Sequence, residues 1–275
     1  MLLGYNTNGF AHHRLSDALN VLAEIGYRSV ALTLDHCHLD PHDRRLWART
    51  RLTRRQLRRL GLTCTVETGA RFLLDPHRKH QPTLLSSDEC AGQQRRMLFI
   101  ERAIEIAAEL EAPVVSLWSG AADDDFDEAA LLMRLCSALD GLLGVAQRAG
   151  VRLALEPEPG MFIDTMASFA RVMSAIDHPA LGLTLDVGHL MCLDDGNIAA
   201  HVRLWRERLW NVHIEDMRRG VHDHLMFGEG EIDFAAVFDA LRAVDYAGPV
   251  NVELSRHSYD AVRVAQQAFE FLSER

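Results

Sequence analysis

The feature that most constrains the fold is a set of four short apolar stretches, each of which ends in a residue that can ligate a metal. The first is Arg152–Gly160, RLALEPEPG. Its apolar run is too short for a helix and is typical of a strand covered on both faces. Two prolines follow and prevent a helix from continuing, so Glu156 and Glu158 lie where the strand becomes a loop.

The same layout recurs three times downstream, in Leu181–His189 (LGLTLDVGH), Leu209–Asp216 (LWNVHIED) and Pro249–Glu253 (PVNVE). Asp186 comes 30 residues after Glu156, His213 follows 27 residues later, and Glu253 follows 40 residues after that. About 30 residues is the length of one strand–helix unit. Four donors at the carboxyl ends of successive strands converge only if the strands curl around a common axis. The spacing therefore predicts a parallel barrel with a metal at its mouth.

The remainder of the chain completes this pattern with four earlier strands, at Leu2–Gly4, Ser29–Leu34, Leu62–Glu67 and Pro113–Leu117. Eight strands alternate with eight helices, and no linker interrupts them. A Rossmann fold is excluded because the glycine-rich phosphate turn is missing after the first strand. The sequence predicts an α/β protein, a single (β/α)8 TIM barrel that occupies residues 1–275 as one domain.

One insertion, at about residues 69–91, is too long and irregular for a plain connection between a strand and a helix. It leaves the third strand on the catalytic face. Its first part, Gly69–Pro82, concentrates basic side chains in an acidic protein: Arg71, His77, Arg78, Lys79 and His80. We expect a lid that recognises an anion, or alternatively a basic contact between subunits.

Composition limits the partners and the cellular compartment. The net charge of −10 argues against a nucleic-acid partner, whose phosphates require a basic surface. Uninterrupted apolar runs fall far short of the roughly 18 residues of a membrane span, and the amino terminus lacks the features of a secretory signal. The five cysteines are scattered and odd in number, as in a reduced compartment. We expect a cytoplasmic protein without a membrane or nucleic-acid partner.

The candidate metal ligands are Glu156, Asp186, His213 and Glu253. Taken singly, each could instead cap a helix or form a surface ion pair. Together they lie at successive strand ends on the face where barrel enzymes carry their catalytic groups. Three carboxylates and one imidazole suit one divalent ion, Mn²⁺, Mg²⁺, Co²⁺ or Zn²⁺, and the absence of thiolate donors removes the usual bias to zinc.

Other polar and aromatic residues near these strand ends are candidates for substrate binding, namely Glu158, His189, Arg219, His224 and Trp118. His189 could equally cap the next helix, and Trp118 could be part of the core. His222 and His224 flank Asp223 at a spacing typical of metal ligands, which also suits a solvated turn. Arg218 and Arg219 could form a fork on a substrate oxygen or carboxylate.

The ordered motifs LALEPEPG, LTLDVGH, NVHIEDM with FGEGEIDF, and VNVELS resemble the xylose isomerase-like TIM-barrel superfamily over essentially the whole chain. That group includes sugar isomerases and epimerases, inosose dehydratases and family-two apurinic endonucleases. The resemblance implies that the four candidates are the metal ligands and that Glu156 and Glu253 also exchange the substrate proton from opposite faces. It further implies that His189 and Arg219 hold substrate hydroxyls.

Departures from the endonuclease pattern help to choose among these branches. Endonuclease-type members bind three metals and need additional histidines after the third and fourth strands. Here Glu67 and Trp118 stand near those places, and His222 replaces the acid expected before His224. With the acidic net charge, these differences disfavour a DNA-repair site.

The predicted function is that of a divalent-metal-dependent isomerase or epimerase of a sugar, keto-sugar or cyclitol. One glutamate removes a proton to form a metal-stabilised enediolate, and the other returns it. The first alternative is a dehydratase acting on an inosose or dehydroshikimate, because the same enediolate next to a leaving hydroxyl would lose water. The second is a non-catalytic metal–sugar binding protein. The resemblance also implies a homodimer or homotetramer.

Overall fold

A computed structural model of the protein describes residues 1–87, 91–122 and 127–275. Eight parallel strands close into a barrel. The barrel strands are β1 (Leu2–Asn6), β2 (Ser29–Thr33), β3 (Thr63–Glu67), β4 (Val114–Leu117), β5 (Arg152–Leu155), β6 (Leu181–Asp186), β7 (Leu209–Ile214) and β10 (Pro249–Val252). Around the barrel they follow the order β1-β10-β7-β6-β5-β4-β3-β2. Two further strands, β8 (Asp216–Arg218) and β9 (Val221–Leu225), form an antiparallel hairpin. The predicted fold class is confirmed.

The described helices are α1 (Leu15–Ile25), α2 (Leu46–Leu60), α3 (Ala91–Leu110), α4 (Glu128–Ala149), α5 (Met166–Ala175), α6 (Val187–Leu193), α7 (Ile198–Trp205), α8 (Phe234–Ala243) and α9 (Ala261–Ser273). Several of their ends have a local chemical cause. Thr165 and Ser168 form a reciprocal capping box at the start of α5. Gly61 and Gly150 end α2 and α4 in the left-handed conformation that glycine adopts readily.

Two elements differ from the sequence prediction. Between β6 and β7 the sequence pattern predicts one helix, at about residues 197–208, whereas the structure has two, because α6 begins directly after β6 and precedes α7. The Asp186 side chain accepts a hydrogen bond from the His189 amide and caps this helix, which ends at Asp194 with a φ of 51°. The polar composition of residues 215–233 predicts a loop, whereas the structure has the β8–β9 hairpin within it. The predicted insertion at 69–91 includes residues 88–90, and with them Cys90, which lie outside the described residues.

Polar side chains fill the barrel interior beneath its carboxyl-terminal mouth. Thr184 Oγ1 donates to Ser116 Oγ (2.9 Å), and Asn251 Nδ2 donates to Asn211 Oδ1 (2.9 Å). A Cβ atom at Gly4 would come within 2.0 Å of Asn251 Oδ1, so the absence of a side chain there makes room for this network. A hydrogen-bonded network of side chains therefore lies inside the barrel, directly beneath the polar residues at its mouth.

Among the described helices, α4 alone has the length and apolar composition of a membrane-spanning helix. An 18-residue stretch of this helix has a mean hydropathy of 1.6, and 39% of that stretch is buried inside the protein. The helix packs against α3 and β5. Leu135, Leu139 and Leu142 are fully buried at this contact side of the helix. This burial is typical of a helix that covers a barrel.

Candidate active site

The barrel brings the four predicted ligands together at the carboxyl ends of its strands. Glu156 follows β5, Asp186 ends β6, His213 lies in β7, and Glu253 follows β10. One donor atom from each lies within 4.8 Å of all the others. His213 Nδ1 is 2.9 Å from Glu253 Oε2, 3.1 Å from Glu156 Oε1 and 4.0 Å from Asp186 Oδ2.

These four side chains fit a divalent cation. Asp186 Oδ2 is buried and has no hydrogen-bond partner among the described residues. Three carboxylates held so close repel one another, and a buried charge is costly unless it is paired or coordinates a metal. Oxygen donors with one imidazole suit Mn²⁺, Mg²⁺, Co²⁺ or Zn²⁺. The donor set thus has both the geometry and an unsatisfied oxygen for such an ion.

The two predicted catalytic glutamates have opposite pKa shifts. Burial raises the pKa of Glu156 to about 8, against the opposing pull of His213. Burial also acts to raise the pKa of Glu253, but His213, His224 and a hydrogen bond from Asn8 outweigh it and lower that pKa. The same acids raise the pKa of His213 well above its usual value even though burial opposes them. The surroundings therefore give two glutamate side chains, identical in structure, different tendencies to hold a proton.

A fourth carboxylate, that of Glu67, contacts the other ring nitrogen of His213. Glu67 Oε1 lies 3.1 Å from His213 Nε2 and accepts a hydrogen bond from Asn211 Nδ2 at 3.2 Å. If Nε2 donates to Glu67, Nδ1 is left unprotonated and faces the three carboxylates as a ligand would. Sequence analysis missed this role. Because Glu67 ends β3, the rule that identified the other four donors also applies to it.

Asn8 is another contributor that sequence analysis missed. Its Nδ2 donates to Glu253 Oε1 at 2.8 Å, and its own Oδ1 is buried without a partner among the described residues. Both groups lie beside the cavity described below. Asn8 lies in the NTNG turn sequence directly after β1, but the local sequence does not indicate its contact with residue 253, which spans nearly the whole chain.

Three histidines gather next to the four-ligand cluster, and their ring nitrogens also lie within 4.8 Å of one another. His189 Nδ1 is 3.0 Å from the Pro157 carbonyl, and its Nε2 is 3.2 Å from His222 Nε2. His224 Nδ1 is 3.1 Å from the Glu253 carbonyl. Glu158 faces the same group, 3.9 Å from His189 Nε2. The hairpin β8–β9 thus carries His222 and His224 to the site.

Asp216 fixes the loop that follows this hairpin. Its buried carboxylate accepts four backbone N–H groups, from Met217 (3.0 Å), Gly228 (2.8 Å), Gly230 (2.9 Å) and Ile232 (3.2 Å). A Cβ atom at Gly230 would come within 2.2 Å of Asp216 Oδ1, so this close approach requires glycine. The FGEGE segment, residues 227–231, is thus held by one carboxylate.

A cavity of about 190 Å³ opens above the cluster. Of the predicted substrate-binding residues, Glu158, Trp118 and His224 line it, while His189 is outside this lining and lines a separate small pocket together with Asp186. Arg219 lies outside the lining: its side chain is 58% exposed and pairs with Asp194 and Glu231. The ion pair with Asp194, which follows the last residue of α6, holds the Arg219 guanidinium at the surface. The substrate contact of Arg219 therefore stays a prediction that this placement does not support.

The comparisons with known proteins agree with the motifs. The family model described as "Xylose isomerase-like TIM barrel" matches residues 19–275. L-ribulose-5-phosphate 3-epimerase UlaE of Salmonella heidelberg (strain SL476) is 27% identical over 243 residues, 86% of this chain and 80% of the relative.

Two solved structures share the fold at lower identity. An L-ribulose 3-epimerase has 20% identity and a TM-score of 0.78, with 99% of this chain and 93% of that chain covered. The IolI protein with a bound zinc atom has 17% identity and a TM-score of 0.78, with 100% and 99% covered. The named relatives support an enzyme of the sugar epimerase and isomerase group and do not favour the dehydratase. As its sequence motifs predicted, the chain belongs to the xylose isomerase-like TIM-barrel family.

Proposed function

We propose that this protein is a divalent-metal-dependent epimerase or isomerase of a sugar. The observation that carries the proposal is that two glutamates contact the same imidazole nitrogen. Glu156 Oε1 and Glu253 Oε2 each lie about 3 Å from His213 Nδ1. The epimerase names of the relatives support the reaction class. One of these names refers to a phosphorylated ketose and another to a free ketose. The four donors are compatible with Mn, Mg, Co or Zn as the metal.

The protein's own residues supply the binding and the proton transfers. Glu156, Asp186, His213 and Glu253 would hold the ion, which when bound is a Lewis acid able to polarise a carbonyl and its neighbouring hydroxyl. Glu253 and Glu156 act as base and acid on the carbon beside that carbonyl, one removing its proton and the other returning a proton to the opposite face. His224, Glu158 and Trp118 line the cavity and would position the sugar. His189 would fix the orientation of Asp186.

Three further features belong to the same proposal. Residues 1–275 act as a single domain, with the segment at about 69–91 as a lid over the cavity. The protein is cytoplasmic, and its partner is a small sugar or cyclitol rather than a nucleic acid or a membrane. Assembly into a homodimer or homotetramer can be measured directly by sedimentation.

The test is Glu253→Gln, assayed with ketose pairs in D₂O after loading with each divalent metal. A wild-type product that gains one deuterium beside its carbonyl identifies proton exchange with solvent. We expect the variant to lose about 10²–10⁴-fold in turnover while keeping its fold, because it has lost an acid–base group. The matched control is Glu207→Gln, an exposed acid at the opposite end of the barrel. Full activity in Glu253→Gln would contradict the acid–base role, and a product lighter by one water would identify a dehydratase.

A further inference from the structure

The cavity has a positively charged side that the proposed reaction does not use. Arg71, Lys79 and His80, all from the segment 69–82 after β3, line the same cavity as Glu156 and Glu253. The acids gather around His213, whereas the two cations, Arg71 and Lys79, belong to the segment 69–82. A ligand bound in this cavity therefore meets both groups.

The backbone of the segment brings the two cations together. Ala70 and His80 have φ values of 47° and 67°, in the left-handed region that residues with a Cβ atom rarely adopt. The His80 amide donates to the Arg71 carbonyl at 2.6 Å and so joins the two ends of the segment. Arg71 directly follows one strained residue and Lys79 directly precedes the other. Such strain is held by the surrounding structure and is concentrated at functional sites.

The two cations have no described counter-charge. No described carboxylate lies within ion-pair distance of Arg71 or Lys79, whereas the adjacent Arg78 pairs with Asp75 at 2.8 Å. A third cation, the fully buried Arg96, lies under Trp118, with its Cζ atom 4.2 Å from that ring. His80 stacks on Trp118 with the ring centroids 5.3 Å apart. Burial and the three cations together lower the pKa of His80 to about 4, so its imidazole is neutral and does not repel a cation.

We propose that Arg71 and Lys79 bind the phosphate of a sugar phosphate whose reacting carbons lie at the four-donor cluster. This inference rests on the proposed function for the reacting end and adds the substrate class. Two cations match the charge of a phosphate dianion. The Arg71 guanidinium can form two parallel hydrogen bonds to its oxygens, and Lys79 supplies a point charge. An uncharged sugar would leave both cations in the cavity without a counter-charge.

The first test measures the binding of inorganic phosphate by calorimetry to the metal-loaded protein. We compare the wild type with the double variant Arg71→Gln/Lys79→Gln, and with the control Arg78→Gln in the same segment. We expect about 100-fold weaker binding in the double variant, since two charge-assisted contacts are lost, and wild-type affinity in the control. Equal affinity in all three proteins, no binding to the wild type, or acetate binding as tightly as phosphate would overturn the proposal.

The second test compares a ketose with its phosphate ester as substrates. We expect the ratio of their kcat/KM values to favour the ester about 100-fold in the wild type and to fall toward one in the double variant, mainly through KM. An unchanged ratio, or a wild-type ratio near one, contradicts the phosphate site. If neither compound reacts with any metal while phosphate binding depends on Arg71 and Lys79, the epimerase proposal fails and the anion site stands.

Discussion

His213 is the residue around which the candidate site is built, because each of its ring nitrogens has a different set of partners. Nδ1 faces the carboxylates of Glu156, Asp186 and Glu253, and Nε2 faces Glu67. An imidazole can be an acceptor at only one nitrogen when the other carries the proton. The contact with Glu67 therefore determines which nitrogen is available to a metal.

Glu67→Gln tests this dependence. The amide keeps the size of the side chain but removes the charge that favours a proton on His213 Nε2. We expect divalent-metal affinity to fall about 10–100-fold, as for other groups that orient a metal-ligating histidine, with the fold unchanged. Competition with a chelating dye measures the affinity without any substrate. Glu105→Gln, at an exposed position on α3, is the control, and equal affinity in both variants would show that Glu67 does not act through His213.

Single residues could be predicted from the sequence where they shared a rule with others. Glu156, Asp186, His213 and Glu253 were identified because each ends an apolar run at the spacing of one strand–helix unit. Asn8 could not be identified, since its contact with Glu253 joins residues 245 positions apart and only the closed barrel creates it. Arg219 was predicted to contact substrate from its place in a polar stretch and from the resemblance, but its ion pair with Asp194 depends on the unpredicted end of α6.

At the scale of elements, some helices and turns depend on side chains that hydrogen-bond to the backbone, and the spacing of apolar residues does not predict them. The eight barrel strands follow from their apolar runs, but α6 and the β8–β9 hairpin do not. Asp186 begins α6 immediately after its strand. The hairpin is closed by the left-handed Gly220 (φ 70°) and is followed by the loop around Asp216. The contacts of Asp216 with Gly228, Gly230 and Ile232 join residues 12 to 16 positions apart. The Asp186 cap is local, but it depends on one side chain and not on the spacing of apolar residues, so periodicity alone reveals neither element.

Asp216→Asn tests how far one carboxylate stabilises the loop. The amide nitrogen of asparagine would face the Gly228 and Gly230 N–H groups, or the turned amide those of Met217 and Ile232, and hydrogen bonds are lost either way. We expect the free energy of unfolding to fall by about 2–4 kcal/mol in urea titrations.

The control for this prediction is Asp233→Asn. Asp233 caps α8 by accepting the Ala236 amide at 3.1 Å, and asparagine caps helices about as well as aspartate. We expect the control to change the free energy of unfolding by less than about 0.5 kcal/mol. Equal losses in the two variants would show that the loop does not depend on the buried carboxylate.

At the scale of the whole molecule, closure of the barrel brings residues that are far apart in the sequence to the walls of one cavity. It brings the strand ends of β5, β6, β7 and β10 to a common axis and places the segment after β3 over them. The fold class, and the meeting of the four candidate donors at one end of the barrel, followed from the sequence because both depend on the order of the strands. The shape of the cavity and its charged side depend on how the loops pack, which strand spacing does not specify.

The central claim is that the four strand-end donors form one divalent-metal site, and metal content measured by elemental mass spectrometry tests it most directly. The wild type is compared with Asp186→Asn, since asparagine retains the ability to cap α6 but loses the charge of the ligand. We predict about one divalent ion per chain in the wild type and its loss in the variant. A wild-type protein that holds no ion even after incubation with Mn²⁺ or Co²⁺, or a variant that retains its ion, would contradict the claim.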